Sequence, residues 1–193
     1  RDVAPSRGLG DVYKRQPSQI MEHWAVEPEV LKLYAKHYET REVIPDELIT
    51  KIQNQGTFNQ GFMTTELLAA ALLDMELHNL TDTENLNVVA FEKETMDKLG
   101  LIPEIAPRYR ATYFSHIIGG YAAGYYSYLW AEVLDTDAFE AFKEHGVFDK
   151  NTADSFRKNI LEKGGTEDPM TLYRGFRGAD PSLEPLLKNR GLK

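Results

Sequence analysis

The chain has 193 residues, 42% hydrophobic and 27% charged, which is enough apolar content for a buried core and too much for a disordered chain. Its formal charge of −8 argues against bulk nucleic-acid binding, and the lack of cysteine excludes disulfides, thiolate metal sites and a cysteine nucleophile. No apolar run approaches the ~20 residues that cross a bilayer, so no membrane partner is expected.

The first sixteen residues, RDVAPSRGLGDVYKRQ, are basic and carry no helical or strand period. The composition shifts abruptly at Pro17, which marks residues 1–16 as a leader of non-native character, expected to make few long-range contacts. The folded part is therefore expected to begin at Pro17.

From there the punctuation is helical. Pro17 and Pro28 suit first turns, and Val30, Leu31, Leu33, Tyr34 and Tyr38 recur at gaps of three and four. Pro45-Asp46 opens a helix with Leu48, Ile49 and Ile52 inward and Gly56 as its stop. Thr57 to Leu80 is the longest candidate; Leu67 to Leu73 is apolar nearly all round, so this helix is expected to be buried. Thr83 to Leu99 reads as a helix ended by Gly100. Asn151 is placed to cap a helix carrying Phe156, Ile160 and Leu161, with Gly164-Gly165 as the stop. Asp180-Pro181 opens a short last helix before Gly191. No alternating strand and no repeat interrupts this series, and the predicted class is all-α.

One segment departs from the pattern. Between Arg108 and Tyr128 lie six tyrosines, at 109, 113, 121, 125, 126 and 128, and three glycines, Gly119, Gly120 and Gly124. Each glycine weakens a helix by up to ~1 kcal/mol relative to alanine, so the segment needs mobility or close backbone approach. A helix from Gly120 onward would put Tyr121, Tyr125 and Tyr128 on one face and Tyr126 off it. By composition alone, aromatic core packing and a ligand-facing tyrosine row both fit. His116 fits either a core or a site histidine. Glu66, Asp74, Glu76, Asp135 and Asp137 read most simply as solvated or capping groups. No H-E-x-x-H, phosphate loop or nucleophile elbow is present, and the histidines lack metal-ligand spacing.

Two segments are more specific. PSQIMEHW at Pro17–Trp24 and HIIGGYAAGYYSYLWAEVLDTDAF at His116–Phe139 resemble the thimet oligopeptidase and peptidyl-dipeptidase family of zinc metallopeptidases. The ending RGFRGADPSLEPLLKNRGL at Arg174–Leu192 is similar to that family's C-terminus, and the likeness covers residues 17–193. The resemblance implies a helical, zincin-like enzyme with a deep channel, a zinc held by H-E-x-x-H and a later Glu, and short peptides as substrates. It implies catalytic roles for Tyr128, Tyr121 and His116, and substrate binding by Tyr125, Gly119 and Gly120. It also suggests a place near the metal for Glu22. The family's third ligand falls at Arg15, a permanent cation that cannot bind zinc, and H-E-x-x-H lies upstream of anything present. The chain is thus expected to be the C-terminal part of such an enzyme, inactive alone, without metal ligands or tight zinc binding, and with apolar surface that the missing N-terminal part would cover. A soluble, cytoplasmic location is expected. The competing class is a metal-free helical peptide-binding module. Any of Arg108, Arg110, Arg174 and Arg177 is a candidate for a substrate carboxylate.

Overall fold

The computed structural model describes residues 17–193. The expectation for the leader, and that for Arg15, lie outside the described residues. The described residues form helices and turns, with one isolated antiparallel bridge between Lys36 and Val43, so the class is all-α. In chain order the helices are α1 (residues 17–26), α2 (Pro28–Tyr34), α3 (Asp46–Thr57), α4 (Gln60–His78), α5 (Val88–Lys98), α6 (Ser115–Ile118), α7 (Ser127–His145), α8 (Lys150–Phe156), α9 (Pro169–Arg177) and α10 (Glu184–Asn189). A π-helical turn, Arg157–Leu161, extends α8.

Local chemistry sets several boundaries. α5 starts at Val88 because the Asn87 side chain accepts from Ala90 N at 3.0 Å, so Thr83–Leu86 stay outside the helix. α8 is capped by Asp149, which accepts from Thr152 N at 2.7 Å. That cap lies two residues before the expected Asn151. α9 has Pro169 in its first turn, the Asp168 carboxylate on Thr171 N, and Gly178 at φ 80° as its left-handed stop. α10 opens at Glu184 rather than at Asp180-Pro181, since Asp180 instead pairs with Arg174 at 2.7 Å. α3 runs one residue past Gly56, and of its three expected inward residues only Ile49 is fully buried; Leu48 is exposed.

The described residues divide into two compact units. One comprises 17–60 and Trp130–Lys193. Its core joins Ile20 of α1 to Ala131, Leu134, Ala138, Phe139 and Phe142 of α7, and to Phe156, Ile160, Leu172 and Tyr173. Trp24 stands edge-on to Phe139 and Phe142, both at 4.6 Å between ring centres, and its indole N–H donates to Val147 O at 2.8 Å. Asp135 and Asp137 on α7 are buried, contrary to the solvated reading of the sequence. Their partners explain it: His23 Nε2 lies 2.8 Å from Asp135, while Tyr173 donates its hydroxyl to Asp137 at 2.5 Å and Arg177 stands 3.5 Å away. Of the stripe in α2 only Leu31 is fully buried; Leu33, Tyr34 and Tyr38 are exposed, and α2 ends at Tyr34, so Tyr38 leaves the helical period.

The other unit spans Gly61–Leu129. Ala70 and Ala71 of α4, Phe114, Ile117 and Tyr125 form its buried cluster, flanked by Leu67, Leu77, Tyr109 and Tyr128. α4 is one-sided rather than wholly buried: Ala69, Ala70, Leu73 and Asp74 point inward, while Leu68 and Leu72 stay about two-fifths exposed, at 40% and 42%.

Candidate active site

The tyrosine segment does not continue as a helix from Gly120. Residues 119–126 form a chain of tight turns, with Gly124 N donating to Tyr121 O at 2.8 Å and Ser127 N to Gly124 O at 3.0 Å, and α7 starts only at Ser127. One residue breaks the helical backbone, and its neighbour has room only for glycine. Ala123 sits at φ 52°, a left-handed conformation that costs an L-residue roughly 1–2 kcal/mol. Gly124 packs so closely that a Cβ there would lie 3.3 Å from the Tyr121 carbonyl oxygen. Gly119 and Gly120 have open space around them instead.

The predicted rings nevertheless converge, by a route other than helical period. Ring centres of Tyr121 and Tyr128 lie 5.6 Å apart and those of Tyr125 and Tyr128 5.0 Å apart. His116 stands 5.6 Å from Tyr125 and 6.3 Å from both Tyr121 and Tyr128. These are ordinary aromatic contact distances. Tyr126 points away, with 42% of its surface exposed. Tyr109 joins the group 4.9 Å from His116 and stacks on the buried Phe114 at 5.0 Å. It is one of six tyrosines between Arg108 and Tyr128, and nothing in its spacing marks it as a member.

Exposure divides the set. Tyr125 is buried at 4% exposure against Ala70, Ala71, Phe114 and Ile117. Burial pushes its phenol above the usual range, with the nearby Arg108 cation opposing, so Tyr125 stays protonated at neutral pH. Tyr121, Tyr128 and His116 are half-buried, and Gly119 and Gly120 are exposed. The Nδ1 atom of His116 is itself buried and has no hydrogen-bond partner among the described residues. Leaving such an atom unpaired costs about 1–3 kcal/mol.

Two buried carboxylates on neighbouring helices hold the segment at its ends. Asp74 on α4 is fully buried and accepts from Ala123 N and Tyr125 N, each at 2.9 Å. Glu92 on α5 accepts from Ala111 N at 2.6 Å and from Arg110 Nε. Neither role is legible in the sequence, because both carboxylates accept from backbone amides far along the chain.

Three of the four candidate arginines already meet carboxylates: Arg110 meets Glu92, Arg174 meets Asp180, and Arg177 meets Glu144 and Asp137. Arg108 lies 6.0 Å from the Tyr109 ring centre, beside the aromatic group. Glu22 belongs to the other unit, exposed on α1 next to the His23–Asp135 pair. Among the described residues no group of three or more His, Asp or Glu side chains is placed to hold a metal ion. The residues present therefore do not fit the zinc that the resemblance implies. What the aromatic group offers is a set of O–H and N–H donors beside an open glycine turn.

The sequence pattern of peptidase family M3 matches residues 15–192. The chain is 46% identical over 183 residues to dipeptidyl carboxypeptidase of Escherichia coli K12, an alignment covering 91% of this chain and 26% of that protein. It is 39% identical over 193 residues to oligopeptidase A of Haemophilus influenzae, covering 99% of this chain and 28% of the relative. With saccharolysin of Saccharomyces cerevisiae it shares 31% over 181 residues, or 92% and 25% of the two chains. The chain thus spans about a quarter of the length of the curated relatives it matches.

Proposed function

The chain belongs to peptidase family M3, and we propose on that premise that it supplies the substrate-facing side of the active site in a longer zinc metallopeptidase. The reaction is hydrolysis of peptide bonds in short oligopeptides, as an oligopeptidase or a dipeptidyl carboxypeptidase (a peptidyl-dipeptidase), the two activities named among the relatives. The remaining part of such an enzyme, with the zinc ligands, would come from polypeptide outside these residues. The work of this chain is confined to its own groups: binding, orienting and donating.

The observation that supports this reading is the convergence of His116, Tyr121, Tyr125 and Tyr128 around a ring nitrogen with no protein partner among the described residues. Hydrolysis carries the peptide carbonyl oxygen toward a full negative charge. A phenol keeps its proton at neutral pH and donates without bringing a charge of its own. Donors aimed at that oxygen bind the transition state more strongly than the ground state, which is what accelerates the step. Tyr128 and Tyr121, with His116, are assigned this role. Tyr125, the most buried of the set, is assigned to hold the neighbouring rings against the substrate. Gly119 and Gly120 leave space for a peptide backbone of any sequence to approach. Glu22 is assigned a supporting place near the metal. Among the described residues no helix is long and apolar enough to cross a membrane, and a cytoplasmic site of action is part of the proposal.

The test is the longer coding sequence. An H-E-x-x-H motif in frame upstream of PSQIMEHW, in a protein that hydrolyses quenched fluorescent peptides and loses that activity to a zinc chelator, is the expected result. A start codon close to residue 1 and peptide binding without hydrolysis would replace the enzyme with a helical binding module.

A further inference from the structure

We propose that Asp74 is the positioning residue of the tyrosine group: its buried carboxylate sets the 119–126 turns so that Tyr121, Tyr125 and Tyr128 meet His116. The proposal rests on the reading of those side chains as substrate-facing groups, and adds the element that determines their geometry.

Asp74 lies on the inner face of α4 with no exposed surface. An isolated carboxylate is strongly disfavoured in such a place. Three donors meet it. Ala123 N and Tyr125 N donate to its two different oxygens at 2.9 Å, one on each side of Gly124. His78 Nδ1, one turn further along α4, lies 2.9 Å from both Asp74 Oδ1 and the Asp74 carbonyl oxygen. Both of those atoms only accept, so Nδ1 carries the proton. His78 thus bonds the Asp74 carbonyl and stands against its carboxylate.

The two amides are those that a helix would have satisfied with its own carbonyls. In the turns they have no such partner, and Asp74 takes the place of the missing helical acceptors. It also stabilises the left-handed Ala123, a conformation the backbone would not hold unaided. Tyr125 is bonded directly. Tyr121 is set through the turn that closes on Gly124, and Tyr128 through its own N–H, which donates to Tyr125 O at 3.3 Å. One carboxylate thus controls three of the four aromatic side chains.

The test uses the 193-residue chain, isotopically labelled for NMR. In the unsubstituted chain the Ala123 and Tyr125 amides should be protected from hydrogen exchange, although both lie outside any helix. Exchange at the rate of an unstructured peptide would overturn the proposal without any variant. Asp74→Asn keeps the volume but turns an NH2 group toward one of the two amides. Protection at Ala123 or Tyr125 should then fall about 10–100-fold, the range for a hydrogen bond to a charged group. The ring resonances of His116, Tyr121 and Tyr128 should move together, while amides of α8 and α9 hold their protection. An Asp74→Asn chain with unmoved rings and intact protection would overturn the assignment, as would uniform loss across both units. Titration with penta-alanine separates this inference from the reading beneath it. If Asp74→Asn loosens the rings but the peptide shifts no tyrosine resonance in either chain, the positioning role stands and the peptide reading is what fails.

Discussion

In the unit built around α7, α8 and α9, the buried acids are closed off by protein partners: Asp135 by His23, Asp137 by Tyr173 and Arg177; the buried Arg190 is met in turn by the half-buried Glu132. In the unit spanning Gly61–Leu129, the acids Asp74 and Glu92 are also satisfied, but they serve to tie down a non-helical segment. Among the described residues, that segment retains an unpaired His116 Nδ1 and a fully buried Ser127 Oγ without a partner, against Gln19 Oε1 in the first unit, and it carries an alanine in left-handed conformation. Polar groups in the first unit stabilise a regular packing of capped helices. In the second they hold rings and turns in an arrangement that core packing by itself would not require. The difference is what separates a scaffold from a site, and it can be broken at several points.

The largest effect on stability belongs to the scaffold. Phe139 is 1% exposed, edge-on to Trp24 and stacked on His23 at 4.9 Å. Phe139→Ala should destabilise the chain by about 3–5 kcal/mol, read from denaturant midpoints. A cost under 1 kcal/mol would mean that this packing is not the core of its unit.

The next effect is a pH dependence. Burial lifts the Asp135 carboxyl from 3.8 to about 6, although the hydrogen bond and charge of His23 pull the other way. The folded state therefore holds this proton more tightly than the unfolded chain. The contribution is fully present below pH 4 and is lost as pH rises through about 6, an amount on the order of 1–3 kcal/mol. Asp149 and Glu144 are lowered and slope oppositely, so the measurement is the difference between wild type and Asp135→Asn. Relative to wild type, the Asn variant should gain stability between pH 4 and pH 7. A flat difference would contradict the raised carboxyl.

The smallest effect lies in the site. Ala123→Gly removes the conformational cost at φ 52° and should stabilise by up to about 1 kcal/mol, less the entropy that glycine adds to the unfolded chain. A melting temperature that falls instead would show that the left-handed turn is not strained, and would weaken the contrast between the units.

The helical class was legible in the sequence because proline, glycine and apolar spacing act locally. The family likeness was legible because its motifs are contiguous, as PSQIMEHW and GGYAAGYY are. The helical period groups Tyr121, Tyr125 and Tyr128, and their rings do meet, but turns bring them together where a continuous helix is expected; His116 enters the group through the family likeness, since its spacing fits core and site alike. Asp74, Glu92, Asp135 and Asp137 were not readable. Each looks like any acidic residue on a helix until a partner 18 to 112 positions away is brought to it by the fold. The exposed side of α4 was misread for a related reason, since an all-apolar run does not say which of its faces a neighbour covers.

Whether the tyrosine group faces the reaction is decided by Tyr128→Phe in a full-length peptidase that carries this chain. The substitution removes one hydroxyl and little volume, so the ring keeps its place against Tyr121 and Tyr125. In that variant kcat should fall about 10²–10³-fold, KM should move little and stability should change by roughly 1 kcal/mol or less. Tyr126→Phe, off the group and exposed, should keep nearly full activity. Unchanged kcat in Tyr128→Phe, or equal damage from Tyr126→Phe, would contradict the assignment and return the tyrosines to core packing.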